Sequence, residues 1–410
     1  MIAVVGIGAD GWAGLGEPAR AAVLAAHEVI GSERQLALLP GAVTASRRPL
    51  PSPLEPLIDE LATAADGSTC ILASGDPMLH GIGASLARRL GPERLTVHPH
   101  PSAFALACAR LGWPAADVAL VSAVARPPEG VARLLQPGRR LVVYATGEDG
   151  AARVARVLRQ RGFGPSRFVV LEQLGGPHER IREVTADDWE DDRADPLHAV
   201  AIECRAAAGA SLLPCTPGLP DDAYDHDGQL TKRHVRALTL AALAPMPGQL
   251  LWDVGAGSGS IGVEWLRAEA TARAIAIEAR ADRAERAAQN ALALGVPHLD
   301  VRTGRAPDAL HDLPRPDAVF VGGGLTEPGL LDRCWEALNA GGRLVANAVT
   351  FEGEQVVHAA RATHGGTLTR IEIAHAEPLG GFTSWRAALP IVQWAAVKGD
   401  DRPAAAEPPA

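Results

Sequence analysis

The residues best suited to chemistry are two sets of glycine-rich loops with acidic partners. In the second half, the apolar run Leu250-Leu251-Trp252-Asp253-Val254 leads into Gly255-Ala256-Gly257-Ser258-Gly259, after which a helical pattern opens. Glycines at alternate positions let a backbone pass close to a ligand, and a helix N-terminus offers free N–H groups. Glu278 ends the next apolar run, where a carboxylate can accept both hydroxyls of a ribose. Gly304-Arg305-Ala306-Pro307-Asp308 follows the third run and suits backbone cover of an adenine. In the first half, Gly6-Ile7-Gly8-Ala9-Asp10-Gly11 follows the opening run, and Ser74-Gly75-Asp76-Pro77 ends another. Each of these two strings is weak alone, because such glycine strings and Gly-Asp-Pro turns are common.

The elements that must hold these loops follow from apolar periodicity and from Gly and Pro punctuation. Strands are expected at Ile2–Val5, Cys70–Ala73, Leu95–Val97, Val118–Val121, Leu141–Tyr144, Phe168–Leu171 and Ala199–Ile202. Helices are expected between them at Glu17–Ile30, Leu54–Ala65, Met78–Leu90, Ser102–Leu111 and Asp149–Arg161. This alternation predicts an α/β architecture with largely parallel strands. An Ala/Gly-rich stretch with Pro214, Pro217 and Pro220 then reads as a linker, placed at 206–216 between domains 1–205 and 217–399. The pattern restarts with helix Lys232–Leu243 and strand Gln249–Val254, then helix Ser260–Ala268 and strand Ala274–Glu278. Helix Ala281–Leu294 and strands Leu299–Arg302 and Asp317–Val321 follow, with helix Glu327–Leu338, strand Arg343–Ala346 and helix Glu354–Thr363. Two closing strands, Thr367–Ala374 and Ile391–Val397, flank one long loop. The Ala/Pro-rich tail, 400–410, is expected to be disordered.

Composition narrows the function. The chain has 410 residues, which at roughly 150 per domain favours two. Its 47% hydrophobic and 21% charged residues are those of an ordinary globular protein. A net charge of −9 disfavours a nucleic-acid partner held by phosphate neutralisation. No apolar run reaches the roughly 20 residues a membrane helix needs. The five cysteines are scattered and never spaced as CxxC, so neither a disulfide framework nor a zinc site is expected, and a reducing cytoplasm fits. Only Lys232 and Lys398 among the basic residues are lysines. Lys398 belongs to no motif.

The second-half constellation of Gly255, Gly257, Gly259, Glu278 and the Ala306 loop resembles the class I S-adenosylmethionine (SAM)-dependent methyltransferases. The alternative, a nicotinamide-binding domain, calls for GxGxxG rather than GxGxG. Two further strings are similar to the corrin-pathway carbon-15 methylase-decarboxylases: Gly218-Leu219-Pro220-Asp221-Asp222, and Thr231-Lys232-Arg233-His234-Val235-Arg236. Gly322-Gly323-Gly324 stands where most class I enzymes carry an acidic or aromatic motif, and leaves room for a large flat substrate. The resemblance covers roughly 217–398. It implies SAM contacts at Thr231, Asp253, Gly255, Gly257, Gly259, Glu278 and Ala306, with Thr231 also capping the helix. Lys232, Gly322, Gly323 and Asn347 become candidate substrate contacts. Asp221, Asp222, His226 and His234 read as loop and cap residues.

Over roughly 1–204 the order and separation of the other two loops resemble the class III, or tetrapyrrole, methylases, closest to the carbon-5 methylases. That resemblance implies a two-lobed α/β domain with SAM contacts at Gly6, Gly8, Gly75, Asp76, Ser102 and Thr146. Relatives carry Ser-x-His-x-Arg where this chain reads Ser122-Ala123-Val124-Ala125-Arg126, so only Arg126 is carried over, as a carboxylate ligand. The fusion as a whole resembles the decarboxylating precorrin methyltransferases of cobalamin biosynthesis. It implies one SAM per domain and a polycarboxylate corrin precursor as partner. It further implies methylation at carbons 5 and 15, loss of the carbon-12 acetate carboxyl, and at least a dimer. A second reading keeps one half as a non-catalytic SAM- or substrate-binding module, or takes a different tetrapyrrole as acceptor. The meso carbons are enamine-like nucleophiles, so positioning and exclusion of water suffice and no catalytic residue or metal is assigned.

Overall fold

The computed structural model describes residues 1–63, 68–189 and 193–399. The chain divides into two compact units: Met1–Val131 with Leu135–Ser211, and Ala132–Leu134 with the chain from Leu212 onward. The tail expected at 400–410 and the predicted helix end at Ala64–Ala65 lie outside the described residues.

The first unit opens with β1 (Ile2–Ile7), α1 (Glu17–Leu24), β2 (Glu28–Gly31), α2 (Glu33–Ala37), β3 (Ser46–Pro49), α3 (Glu55–Thr63), β4 (Thr69–Ser74), α4 (Ile82–Leu90) and β5 (Leu95–His98). These strands form one sheet in the order β3-β2-β4-β1-β5, parallel throughout. Period-2 alternation places both faces of β1 in cores: Ile2 and Val4 join one apolar cluster, Val5 and Ile7 the other. The remainder is α5 (Ala103–Leu111), β6 (Val118–Ser122), β7 (Arg140–Thr146), α6 (Gly150–Gln160), β8 (Arg167–Glu172), β9 (Arg180–Thr185) and β10 (Leu197–Glu203). Their sheet runs β6-β7-β10-β8-β9, and only β6 and β7 are parallel. The expectation of largely parallel strands thus holds for the first sheet and not for the second.

The predicted helix Glu17–Ile30 is cut short. It ends at Leu24, and the β-branched pair Val29-Ile30 instead enters β2, fully buried beside β4.

The second unit contains α7 (Arg233–Leu243), β11 (Leu250–Val254), α8 (Ser260–Ala268), β12 (Arg273–Glu278), α9 (Ala281–Ala293), β13 (Asp300–Thr303), β14 (Ala318–Val321) and α10 (Leu330–Ala337). After them come β15 (Arg343–Ala348), α11 (Phe351–His364), β16 (Thr367–Ile371), β17 (Ala374–Leu379), β18 (Phe382–Ala387) and β19 (Ile391–Val397). Seven strands form one sheet, β13-β12-β11-β14-β15-β19-β16, with β19 antiparallel to both neighbours. In β11, Leu250, Trp252 and Val254 pack on one face and Leu251 on the other, so Asp253 points toward α8. Each such fully buried side chain stabilises by roughly 1.5–3 kcal/mol relative to exposure. The segment expected as a long loop holds the hairpin β17–β18, turned by Gly380-Gly381 between Leu379 and Phe382. Lys398 has a task too: its ammonium donates to the carbonyls of Trp335, Glu336 and Leu338 and closes the end of α10.

Candidate active sites

In the second unit the loops after β11, β12, β13 and β14 meet at the carboxyl edge of the sheet, beside a cavity of about 1030 Å³. Glu278, at the end of β12, is almost fully buried. One carboxylate oxygen accepts the Gly257 N–H (2.8 Å) and the other the Arg280 N–H (3.0 Å), which leaves lone pairs on both for further donors. Gly255 has φ +71°, and a Cβ there would lie 2.6 Å from Gly323 Cα. The structure gives the glycines after β14 a packing reason as well as the expected substrate one. Gly323 lets two backbones touch, while Gly322 and Gly323 both line the cavity.

Thr231, Lys232, Gly255, Gly257, Glu278, Ala306, Gly322, Gly323 and Asn347 all border this cavity. Asp253 and Gly259 do not. Asp253 sits beneath it, accepting the Gly262 N–H at 2.9 Å; its other oxygen has no partner among the described residues. Burial pushes its pKa up to about 7, the Gly262 hydrogen bond opposes that shift, and the charge of Glu278 adds to it. Gly259 (φ +75°) brings the start of α8 against Ala287 of α9, a packing contact. Thr231 is not the cap of α7. Lys232 holds the N-cap position without a side-chain cap bond, and its exposed ammonium has no partner among the described residues. Asn347 is fixed from below: its amide donates to Thr239 Oγ1 (3.0 Å) and accepts from Gln393 Nε2 (3.0 Å).

The motif residues that sequence reasoning left unassigned form a buried lock. Arg236, with no exposed surface, donates to Glu264 Oε1 (2.5 Å), Asp221 Oδ1 (3.1 Å) and the carbonyls of Thr231 and Leu219. Glu264 also accepts the N–H groups of Gly218 and Leu219 and the Tyr224 hydroxyl. The two strings at 218–222 and 231–236 are thereby bound together through α8. Asp221 is an anchor for Arg236 rather than a free loop residue. Glu264 stands out in the sequence as the lone acid in Ser260-Ile261-Gly262-Val263-Glu264-Trp265-Leu266.

In the first unit the carboxyl ends of β1 and β4 converge. A Cβ on Gly6 would fall 2.1 Å from the Gly75 carbonyl oxygen; the Gly75 N–H donates to the Ile7 carbonyl (3.1 Å), and Gly75 (φ +59°) abuts Ser102 Cα. Gly6, Gly75 and Ser102 thus come together. Gly8 lies beneath His100, whose Nε2 is 3.2 Å from Asp10 Oδ1. Asp76 closes its own turn by accepting the Met78 N–H at 2.8 Å, and Ser102 caps α5. Tyr144, from β7, joins these loops with no sequence motif to announce it. Its hydroxyl accepts the Phe104 N–H (3.0 Å), and burial raises its pKa. Thr146 and Arg126 are both exposed, and among the described residues no hydrogen bond or ion pair joins their side chains to the converging loops; Arg126 is felt electrostatically by His80. His80 (φ 57°), Ala125 (φ 53°) and Gln173 (φ 50°) are non-glycine residues in the left-handed region, a strain that concentrates at functional sites.

Models of known families match both units. The tetrapyrrole (corrin/porphyrin) methylases match residues 1–190, and a precorrin methyltransferase domain matches residues 222–398. The chain is 46% identical to the precorrin-6Y C(5,15)-methyltransferase [decarboxylating] of Sinorhizobium sp, over 97% of this chain and 96% of that one. The Mycobacterium tuberculosis (strain ATCC 25618 / H37Rv) protein of the same name is 47% identical over 97% of this chain and all of its own. The chain belongs to the decarboxylating precorrin-6Y C(5,15)-methyltransferase family. Two shorter relatives each match less than half of it. The cobalt-precorrin-7 C(5)-methyltransferase of Salmonella typhimurium is 32% identical over 44% of this chain and 89% of its own. A probable cobalt-precorrin-6B C(15)-methyltransferase (decarboxylating) of Pyrobaculum calidifontis is 33% identical over 43% of this chain and 93% of its own.

Membership in this methyltransferase family implies SAM. The second unit fits it: the buried carboxylate of Glu278 has spare acceptor capacity at the glycine loop, as ribose hydroxyls require. Among the described residues no three His, Cys, Asp or Glu side chains are grouped to hold a metal, and no helix is long and apolar enough to cross a membrane. None of the five cysteines is in a disulfide among the described residues.

Proposed function

We propose that the chain performs C(5,15) methylation of precorrin-6Y with decarboxylation at two separate sites, one in each unit and each with its own SAM. The first unit methylates carbon 5. The second removes the carboxyl of the carbon-12 acetate and methylates carbon 15. One observation carries this reading: each unit assembles its own complete glycine-loop convergence, Gly6–Gly75–Ser102 in one and Gly255–Gly323 with Glu278 in the other. The two shorter relatives, one named for carbon 5 and one for carbon 15, support the same division.

When bound, SAM supplies an electrophilic methyl group on a sulfonium sulfur. The protein's work is placement. Glu278 would hold the nucleoside end through the lone pairs its own hydrogen bonds leave open, with the side-chain-free Gly255–Gly257 backbone lying close beside it, and Ala306 would cover the base. Lys232, Asn347 and the glycine floor at Gly322-Gly323 face the macrocycle. Lys232 lies free to meet a carboxylate, and Arg126 offers the same chemistry in the first unit. The meso carbon is itself the nucleophile, so alignment and a water-poor cavity provide the rate. Electrons left by CO₂ enter the conjugated macrocycle, and a proton is taken up at the methylene carbon to give the methyl.

We place this chemistry in the cytoplasm, on a metal-free precorrin, in a chain that forms at least a dimer. Expression of residues 1–211 and 212–410 separately, each given SAM and precorrin-6Y, tests the division by product mass. The first piece should add one methyl and keep every carboxyl; the second should add one methyl and lose a carboxyl. A first piece that binds SAM and transfers nothing contradicts it.

A further inference from the structure

Arg34 stands apart from the other arginines of the first unit. It lies in α2, whose start is fixed by a capping box: Ser32 Oγ accepts the Gln35 N–H, and Gln35 Oε1 accepts the Ser32 N–H. Gln35 is buried, and its amide donates to Ser74 Oγ at 3.1 Å. Arg34 Nη2 donates to the same oxygen at 3.3 Å. The guanidinium is thus tethered at the carboxyl end of β4, against the first residue of the Ser74-Gly75-Asp76-Pro77 loop.

A guanidinium carries five N–H donors. Arg34 uses one, on a neutral hydroxyl, and among the described residues no carboxylate lies within ion-pair distance of it. Asp195 is the acidic group it feels, but that carboxylate is engaged: its Oδ1 accepts from Gln173 Nε2 (3.0 Å) and the Leu197 N–H (2.8 Å). The side chain is half-buried, and loss of water lowers its pKa. Neighbouring arginines are spent on structure. Arg47 donates to the carbonyls of Leu36, Leu39 and Pro40, and Arg180 and Arg182 share the buried Glu172. A half-buried cation held in place by one neutral contact, with its other donors not bound among the described residues, is suited to receive an anion. The planar fork suits a carboxylate bidentately.

We infer that Arg34 is a substrate-positioning residue of the first unit, binding one carboxylate side chain of the tetrapyrrole beside the Ser74–Pro77 loop. The inference rests on carbon-5 methylation belonging to the first unit.

The test uses the full chain with Arg34→Gln and Arg34→Lys, precorrin-6Y and methyl-labelled SAM, with label position read by NMR. In Arg34→Gln the KM for the tetrapyrrole in carbon-5 methylation should rise roughly ten- to hundredfold, the range of a charge-assisted contact. The KM for SAM and labelling at carbon 15 should stay unchanged. Arg34→Lys, which keeps the charge and loses the fork, should recover part of the loss. An unchanged tetrapyrrole KM in both variants overturns the inference. So does a rise in the SAM KM instead, which would make Arg34 a support of the cofactor loop. A Gly75→Val chain separates the two readings. If it still labels carbon 5, the assignment of that methylation to the first unit fails; if it does not, while Arg34→Gln keeps its KM, only the role of Arg34 fails.

Discussion

Substituting alanine at two glycines of one loop should give very different results. At Gly255 the φ of +71° costs an alanine roughly 1–2 kcal/mol, and its Cβ would sit 2.6 Å from both Cα and N of Gly323. Those neighbours are backbone and cannot swing aside, so about 1–3 kcal/mol of overpacking adds to the strain. The total is roughly 2–5 kcal/mol. At Gly257 the φ of +57° imposes the same strain, but the nearest atom is the Gln229 carbonyl oxygen at 3.3 Å, a contact that a few tenths of an ångström relieves. Gly257→Ala should therefore lose only about 1–2 kcal/mol. Urea unfolding of the second unit, followed by its buried tryptophans Trp252, Trp265 and Trp394, reads both values. Methyl transfer to carbon 15 should fall further for Gly255→Ala than for Gly257→Ala. Equal destabilisation of the two variants would refute the claim that Gly255 and Gly323 form a backbone-to-backbone seam.

Other outcomes follow from the same contacts. Arg236→Met leaves Glu264 buried without its cation and should cost about 3–5 kcal/mol; adding Glu264→Gln should restore part of it, measured by denaturation of both chains. Asp253 has a pKa of about 7 when folded against an ordinary 3.8, so the folded state holds its proton longer than the unfolded one. Its stabilising effect is full below the ordinary value and is lost as pH rises toward 7. Urea midpoints of the second unit should decline over that window, and Asp253→Asn should flatten the decline. Glu172 has the opposite sign. Burial opposes its ionisation, but the Arg180 hydrogen bond, the Asp195 N–H and the charges of Arg182 and Arg180 hold its pKa near 2. Stability of the first unit should be lost as pH falls from about 4.5 toward 2, and Glu172→Gln should remove that loss. Lys232→Met should raise the tetrapyrrole KM for the carbon-15 reaction by about tenfold with SAM affinity unchanged, as titration calorimetry would show.

Much of the α/β order was legible because buried strands and helix stripes have different periods. The glycine loop and Glu278 were legible for a local reason: both stand at ends of apolar strands, where a parallel sheet presents its ligand-binding edge. What sequence did not reveal depends on long-range pairing. Glu264 and Arg236 are 28 residues apart and their bond crosses two helices, so no spacing rule announces it. The helix expected through Ile30 failed because Val29 and Ile30 continue an apolar stripe that tertiary pairing with β4 claims as strand. Thr231 has the residue type of a cap, but α7 starts one residue later than that role requires. The β17–β18 hairpin carries a local signal, Gly380-Gly381 between apolar residues, inside the segment expected as a long loop. Both tyrosines of the chain use their hydroxyls at junctions between elements, Tyr144 half-buried and Tyr224 buried, and neither position has a local motif.

The division of labour between the units is tested most directly in the full chain by blocking one glycine loop at a time. Chains carrying Gly75→Val or Gly255→Val would be incubated with precorrin-6Y and methyl-labelled SAM, and the label located by NMR. Gly75→Val should yield a decarboxylated product labelled at carbon 15 alone. Gly255→Val should yield a product labelled at carbon 5 alone that retains the acetate carboxyl. Label at both carbons from either chain, or at neither carbon from a chain whose other unit remains folded, would contradict two independent methyl-transfer sites.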